Sequence, residues 1–248
     1  MSDLSLAARR YRLGLGMFTE GVKYFAGWIV AAVVLAFLVP FIIGQWADVS
    51  QSGWYHAANV GKICTAIVGG GFLYTMMPTM IAQGVTRREL ATATGLFGLL
   101  WSAALGLVAI AGFLVEHAYY GLLDWTQGID QDTPLPLESY GHAFEFAAHY
   151  PLVFALYFTG GALVSAAIYR SDSGWLVLIP VIPIGLALDD LLSSSEPWGP
   201  GWMVRFVTGL ADDVDPWIGA VLTAAFIVLG AWITRRLILD SAIRAKQA

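Results

Sequence analysis

Long apolar runs alternate with short polar segments along almost the whole chain. A helix that crosses the hydrocarbon core of a membrane takes about 20 residues at roughly 1.5 Å each. The pattern predicts six such spans: Phe25–Ile43, Ile63–Ile81, Ala91–Val115, Leu152–Ile168, Trp175–Leu188 and Trp217–Ile233. No span holds an ionisable side chain near its middle, because Lys62, Glu116 and Asp189 fall at span edges. Pro180 and Pro183 predict a bend in the short fifth span.

Three further segments flank the spans. Residues 1–24 mix leucines, Met17 and Phe18 with three arginines, which predicts an amphipathic helix lying in the membrane interface. The alternative is a basic tail that only sets topology. The segments Glu116–Tyr150 and Asp189–Pro216 are rich in aromatic and acidic residues. We predict short re-entrant helices in the latter, before the last span, because its Ser/Pro/Gly cluster is surrounded by apolar residues.

Composition supports a membrane location. The chain has 248 residues, of which 58% are hydrophobic and 12% charged, whereas ordinary soluble domains carry about 25% charged residues. No linker or repeat divides residues 1–248, so we predict a single all-α membrane domain. The one cysteine, Cys64, excludes a disulfide within the chain.

Lysine and arginine are sorted strongly between the two sets of connections. Six spans place both termini on one side of the membrane. Eleven basic residues fall on that side: Arg9, Arg10, Arg12, Lys23, Arg87, Arg88, Arg170, Arg235, Arg236, Arg244 and Lys246. Only Lys62 and Arg205 fall on the other side. Because cytoplasmic loops carry the excess of basic residues, both termini are predicted to be cytoplasmic in a multi-pass protein of the plasma membrane.

The most polar connection between spans is residues 83–91, after the second span. Gly84 is suited to end a helix in the left-handed conformation. Thr86 and Glu89 have the spacing of a capping box, which begins a new helix. The pattern therefore predicts a small, rigid helical knob under the membrane, with Arg87 and Arg88 pointing into the cytoplasm. The alternative is that these two arginines only enforce topology.

The segment Gly84–Leu90, followed by an Ala/Gly-rich span, resembles the cytoplasmic signature of the type-two exporter permeases of ABC transporters. The basic N-terminal helix and the six spans are also similar to that family. The resemblance implies a permease paired with a second permease, identical or related, and with a cytoplasmic ATP-binding subunit that holds ATP and Mg²⁺. It implies a coupling helix that contacts this subunit through Gly84, Thr86, Arg87, Arg88, Glu89 and Leu90. The outer segment 116–150 is longer than in the simplest members.

Other functions are less well supported by the sequence. A phosphate-binding loop is absent, so the chain is not expected to hydrolyse ATP by itself. Ion coupling usually needs ionisable groups within the membrane, and the spans offer mainly hydroxyls, which tend to bond to the helix backbone: Thr65, Thr75, Thr79, Thr94, Ser102, Thr159, Ser165 and Thr223.

We predict no catalytic, cofactor or metal site in this chain, and no nucleic-acid partner; the membrane lipid itself is a partner. The spacing of His142, Glu145 and His149 leaves a metal site as a minor alternative. Two other functional classes remain open. One is a scaffold or sensor that acts through its outer loops, and the other is a membrane-embedded enzyme. For the exporter, the apolar spans suggest a hydrophobic, amphipathic or peptide-like cargo.

Overall fold

The computed structural model describes residues 6–129, 136–193 and 216–241, and the regular elements in these ranges are helices. They are α1 (Leu6–Ile43), α2 (Gly53–Ala82), α3 (Arg87–Leu122), α4 (Tyr140–Ala147), α5 (Tyr150–Arg170), a 3₁₀ turn (Gly174–Val177), α6 (Leu178–Leu192) and α7 (Pro216–Asp240). Within these ranges, six helical segments are long and apolar enough to cross a membrane, which confirms the predicted number of spans. The predicted re-entrant helices fall mostly on residues 194–215, outside the described ranges.

Several helices extend further than the apolar runs predicted. α2 begins at Gly53 rather than Ile63, and its first turn is capped by the Ser52 hydroxyl, which accepts a hydrogen bond from the Tyr55 amide at 3.0 Å. α3 runs on to Leu122 instead of ending at Val115. Polar residues at these ends find partners inside the bundle, so they do not stop the helices.

The predicted interfacial helix is not a separate element. α1 is one helix of 38 residues that begins at Leu6 and continues through the first span to Ile43. The reason lies in packing, since Leu13, Met17 and Phe18 contact a cluster that includes Phe97 of α3. Leu13, Met17 and Phe18 therefore cover a neighbouring helix instead of facing lipid.

Neighbouring contacts give the direction of each long helix. α1 runs parallel to α3, because Gly14 lies against Ala93 near their starts and Gly44 lies against Trp125 just beyond their ends. α2 and α5 are likewise parallel, and the Ser165 hydroxyl of α5 donates to the Gly70 carbonyl of α2.

The last two helices have directions that can be read in the same way. α5 and α7 are parallel, since Arg170 and Asp240 at their ends form an ion pair of 3.9 Å. α6 ends beside the start of α7, where Gly219 contacts Leu191. The first and last described residues therefore lie at one end of the bundle, together with the turn at residues 83–86. We call it the basic end, because eight described arginines lie there: Arg9, Arg10, Arg12, Arg87, Arg88, Arg170, Arg235 and Arg236.

Small residues allow the helices to approach closely. A side chain on Gly161 of α5 would overlap the Ala66 carbonyl of α2, and one on Gly112 of α3 would overlap the Trp54 indole. Large apolar residues such as Ile67, Leu107 and Val228 instead face outward, each about two-thirds exposed at 65%, 65% and 69%. A surface of this kind is stable when lipid covers it.

Candidate functional sites

The turn between α2 and α3 has the local geometry that its sequence predicts. Gly84 adopts φ +84°, the left-handed conformation that ends α2. The Thr86 hydroxyl accepts a hydrogen bond from the Glu89 amide at 3.3 Å. The Thr86 amide in turn donates to the Glu89 carboxylate at 2.9 Å. The predicted capping box is therefore confirmed, and it fixes the start of α3 rigidly relative to the turn.

The prediction of a separate helical knob at residues 84–90 is wrong. α3 begins at Arg87 and continues unbroken to Leu122, so residues 87–90 are the first turn of a span and not a separate helix. What projects from the basic end is the turn Gln83–Thr86 together with Arg88. The physical reason is the same capping box. It starts a helix at Arg87, and the apolar residues that follow continue this helix directly into the span.

The predicted coupling residues divide into exposed and buried groups. Gly84, Thr86 and Arg88 are exposed, whereas Glu89 and Leu90 are buried. Arg87 is half-buried, and its guanidinium donates to the Leu239 carbonyl of α7 at 3.4 Å. Only the exposed group is available to a partner, while the buried group attaches the turn to the bundle.

Two residues that were predicted to fall at span edges, Lys62 and Asp189, form an ion pair buried inside the bundle. Lys62 is within α2 and Asp189 within α6, and each residue is 6% exposed. The Lys62 ammonium donates to both carboxylate oxygens of Asp189 at 3.0 and 2.9 Å. The Tyr157 hydroxyl donates to the same carboxylate at 3.0 Å, and the Tyr150 ring lies 5.5 Å from the ammonium.

The prediction that Lys62 and Asp189 fall at span edges did not foresee that the two residues pair inside the bundle. Lysine and aspartate are rarely buried unless they are paired, and here the pair joins α2 to α6 with α5 between them. In the sequence, Lys62 stands directly before an apolar run. The run alone did not indicate that the helix begins nine residues before this lysine. The partner, 127 positions away, is found only in the fold.

Glu116 is a second acidic residue that lies inside the bundle, fully buried near the end of α3. Its carboxylate accepts hydrogen bonds from the Trp54 amide at 2.8 Å, from the Gln127 side chain at 2.8 Å and from the Ser52 hydroxyl. These donors come from the first turn of α2, from Ser52 directly before it, and from the segment after α3. Glu116 therefore holds the α1–α2 connection and the segment after α3 against α3, a structural role that the sequence did not predict.

An apolar cavity of about 350 Å³ lies between α2, α5 and α6. Its lining includes Ala66, Tyr157, Gly161 and Gly185. Lys62 and Asp189 precede Ala66 and follow Gly185 by one helical turn. The ion pair therefore lies at one end of this cavity, beyond its apolar walls.

A smaller cavity of about 220 Å³ lies between α3, α5 and α7. Four hydroxyl side chains line it, from Thr94 and Ser102 of α3, Thr159 of α5 and Thr234 of α7, and Arg235 borders it as well.

The described residues contain no group of three or more histidine, cysteine, aspartate or glutamate side chains placed to hold a metal ion. His149 instead stacks on the Tyr150 ring at 4.7 Å. In comparisons with known proteins, no protein-family model, no curated protein and no solved structure matches this chain.

Proposed function

We propose that this chain is the membrane-spanning permease subunit of an ATP-driven exporter. It acts in a pair with a second permease subunit and with a separate cytoplasmic subunit that binds ATP and Mg²⁺. The basic end of the bundle faces the cytoplasm, because the positive-inside rule applies to its arginines. The observation that carries the proposal is the rigid, exposed turn at residues 83–86 with Arg88 beside it.

The turn is joined mechanically to most of the bundle, as a coupling element requires. Glu89 bonds to Thr86 and lies 3.6 Å from Arg9 of α1. Leu90 packs in a cluster with Leu73 of α2 and Ile238 of α7. Pressure on the turn therefore acts on α1, α2, α3 and α7 together. Their movement would open a path for a hydrophobic, amphipathic or peptide-like cargo between the paired permeases.

Charge reversal at Arg88 tests the proposal. Arg88→Glu changes an exposed side chain of the turn and leaves the Thr86–Glu89 capping box in place. We expect at least a tenfold loss of the ATPase activity that co-purifies with the tagged chain. The matched control is Arg12→Glu, an exposed arginine of α1 at the same end. Retention of the ATPase by a folded Arg88→Glu protein would refute the docking role.

The buried pair Lys62–Asp189 favours a second candidate, an ion-coupled carrier, since ionisable residues within membrane helices often mark ion pathways. The two candidates differ in their energy source. If the purified chain alone in vesicles moves cargo when a pH gradient is imposed, and Asp189→Asn abolishes this movement, the carrier is correct. If movement requires the ATP-binding subunit and ATP, the exporter is correct.

A further inference from the structure

The hydroxyl groups of the long helices include some with a backbone partner and some without one. The Thr65 hydroxyl donates to the Gly61 carbonyl at 2.8 Å, and the Thr75 hydroxyl to the Gly71 carbonyl at 2.7 Å. These follow the usual behaviour of hydroxyls in membrane helices, which bond to the backbone one turn earlier. They have no need for another partner.

Three of the four hydroxyls that line the smaller cavity behave differently. Thr94, Ser102 and Thr234 are only 4%, 2% and 6% exposed. None of their side-chain oxygens has a hydrogen-bond partner in the part of the chain that the structure describes. All three line the same cavity between α3, α5 and α7. A buried hydroxyl without a partner is costly, so three of them around one space indicate that something polar occupies it.

The shape of the cavity limits what can fill it. At about 220 Å³ it is smaller than the sites that enclose a whole drug-sized ligand, which run from about 300 Å³ upward. Leu99, which is 66% exposed, lies in its wall and faces the lipid side of α3. An occupant can therefore place a compact polar part inside and let an apolar chain leave toward the bilayer.

The positive charge of Arg235 at the opening of the cavity favours a negatively charged polar group in the occupant. Arg235 lines the cavity and is exposed at the basic end. Its neighbour Arg236 lies over the Trp232 ring at 5.3 Å. Guanidinium groups bind phosphate and carboxylate groups well, because several N–H donors are presented in one plane.

We propose that this cavity binds an anionic amphiphile that has a single apolar chain. The phosphate or carboxylate contacts Arg235, and the hydroxyl or ester oxygens next to it accept from or donate to Thr94, Ser102 and Thr234. The apolar chain passes Leu99 into lipid. Such a molecule enters from the basic end. Its binding does not depend on the proposed function, but its role as the exported cargo does.

Direct binding tests the site without any ATPase. The purified chain in non-ionic detergent is titrated with lysophosphatidylglycerol, which carries one chain, a phosphate, an ester and free hydroxyls, and bound molecules are counted by native mass spectrometry. We expect saturable binding that weakens at least tenfold in the triple variant Thr94→Val/Ser102→Ala/Thr234→Val, since three hydrogen bonds are lost. The matched control is Thr65→Val, which removes a buried hydroxyl that already has a backbone partner.

A second variant and a second amphiphile separate charge from packing. Arg235→Gln changes an exposed residue and so preserves the fold; we expect it to weaken lysophosphatidylglycerol binding about threefold to tenfold. Lysophosphatidylcholine, which adds a positive charge to the same phosphate, should bind more weakly to the wild type. The proposal is overturned if the triple variant and Arg235→Gln both bind as the wild type does, or if the two amphiphiles bind equally. Either result leaves the ATPase-docking test at Arg88 unaffected, so the two proposals fail separately.

Discussion

Lys62 and Asp189 depend on each other for their place inside the bundle. A buried charge that loses its partner costs far more than the pair contributes, whereas an apolar replacement of the whole pair is often neutral. The Tyr157 hydroxyl belongs to the same group, because it donates to Asp189. The pair therefore sets how α2 and α6 align more than it adds to net stability.

Single and combined substitutions separate these two contributions. We expect Lys62→Met or Asp189→Leu alone to lower the free energy of unfolding by about 3–5 kcal/mol. The triple variant Lys62→Met/Asp189→Leu/Tyr157→Phe leaves no unpaired charge or hydroxyl at this site, and should recover most of that loss. Thermal or denaturant unfolding of the purified protein measures the difference. Equal losses in the single and triple variants would mean that the pair is not buried as described.

Helix contacts in this protein depend on the absence of side chains at particular positions. α2 and α5 touch where Gly161 meets the Ala66 carbonyl, and backbone on both sides leaves no room for adjustment. Gly71 of α2, by contrast, lies in open space, with nothing within 4 Å of the position that a Cβ would take. Replacement of glycine by alanine is therefore expected to affect the stability of the protein in opposite directions at Gly161 and at Gly71.

Gly161→Ala should destabilise the protein by about 1–3 kcal/mol, since it forces α5 away from α2. Gly71→Ala, the matched control, should be neutral or stabilise it by about 0.5–1 kcal/mol, because alanine loses less backbone entropy in a helix. Unfolding midpoints of the two variants, compared with the wild type, give the result. A Gly161→Ala protein as stable as Gly71→Ala would contradict the α2–α5 contact.

At the scale of the whole molecule, the first and last described residues lie at the basic end of the bundle. Cysteine labelling tests which side of the membrane that end faces. After Cys64→Ser, Gln83→Cys at the basic end and Trp46→Cys at the opposite end are both exposed. An impermeant maleimide added to intact cells should modify Trp46→Cys, and should modify Gln83→Cys only after permeabilisation. The reverse pattern would invert the proposed topology.

The sequence predicts the number of spans well, because lipid requires long apolar runs whatever their neighbours are. It predicts the Thr86–Glu89 capping box equally well, since that motif is local. It misses features that depend on contacts distant in sequence. Residues 6–24 look interfacial until Met17 is seen against α3, and Lys62 looks like a helix end until Asp189 is seen beside it. The unpaired hydroxyls of Thr94 and Thr234 likewise become visible only when two helices enclose one cavity.

The most direct measurement is photo-cross-linking from the turn in cells of the natural host. A photoreactive amino acid replaces Arg88, and the same amino acid replaces Arg12 in the control. The proposed coupling predicts that position 88 captures a protein that binds and hydrolyses ATP, and that position 12 captures much less of it. Capture of no ATP-binding protein at position 88, or equal capture at both positions, would contradict the exporter assignment.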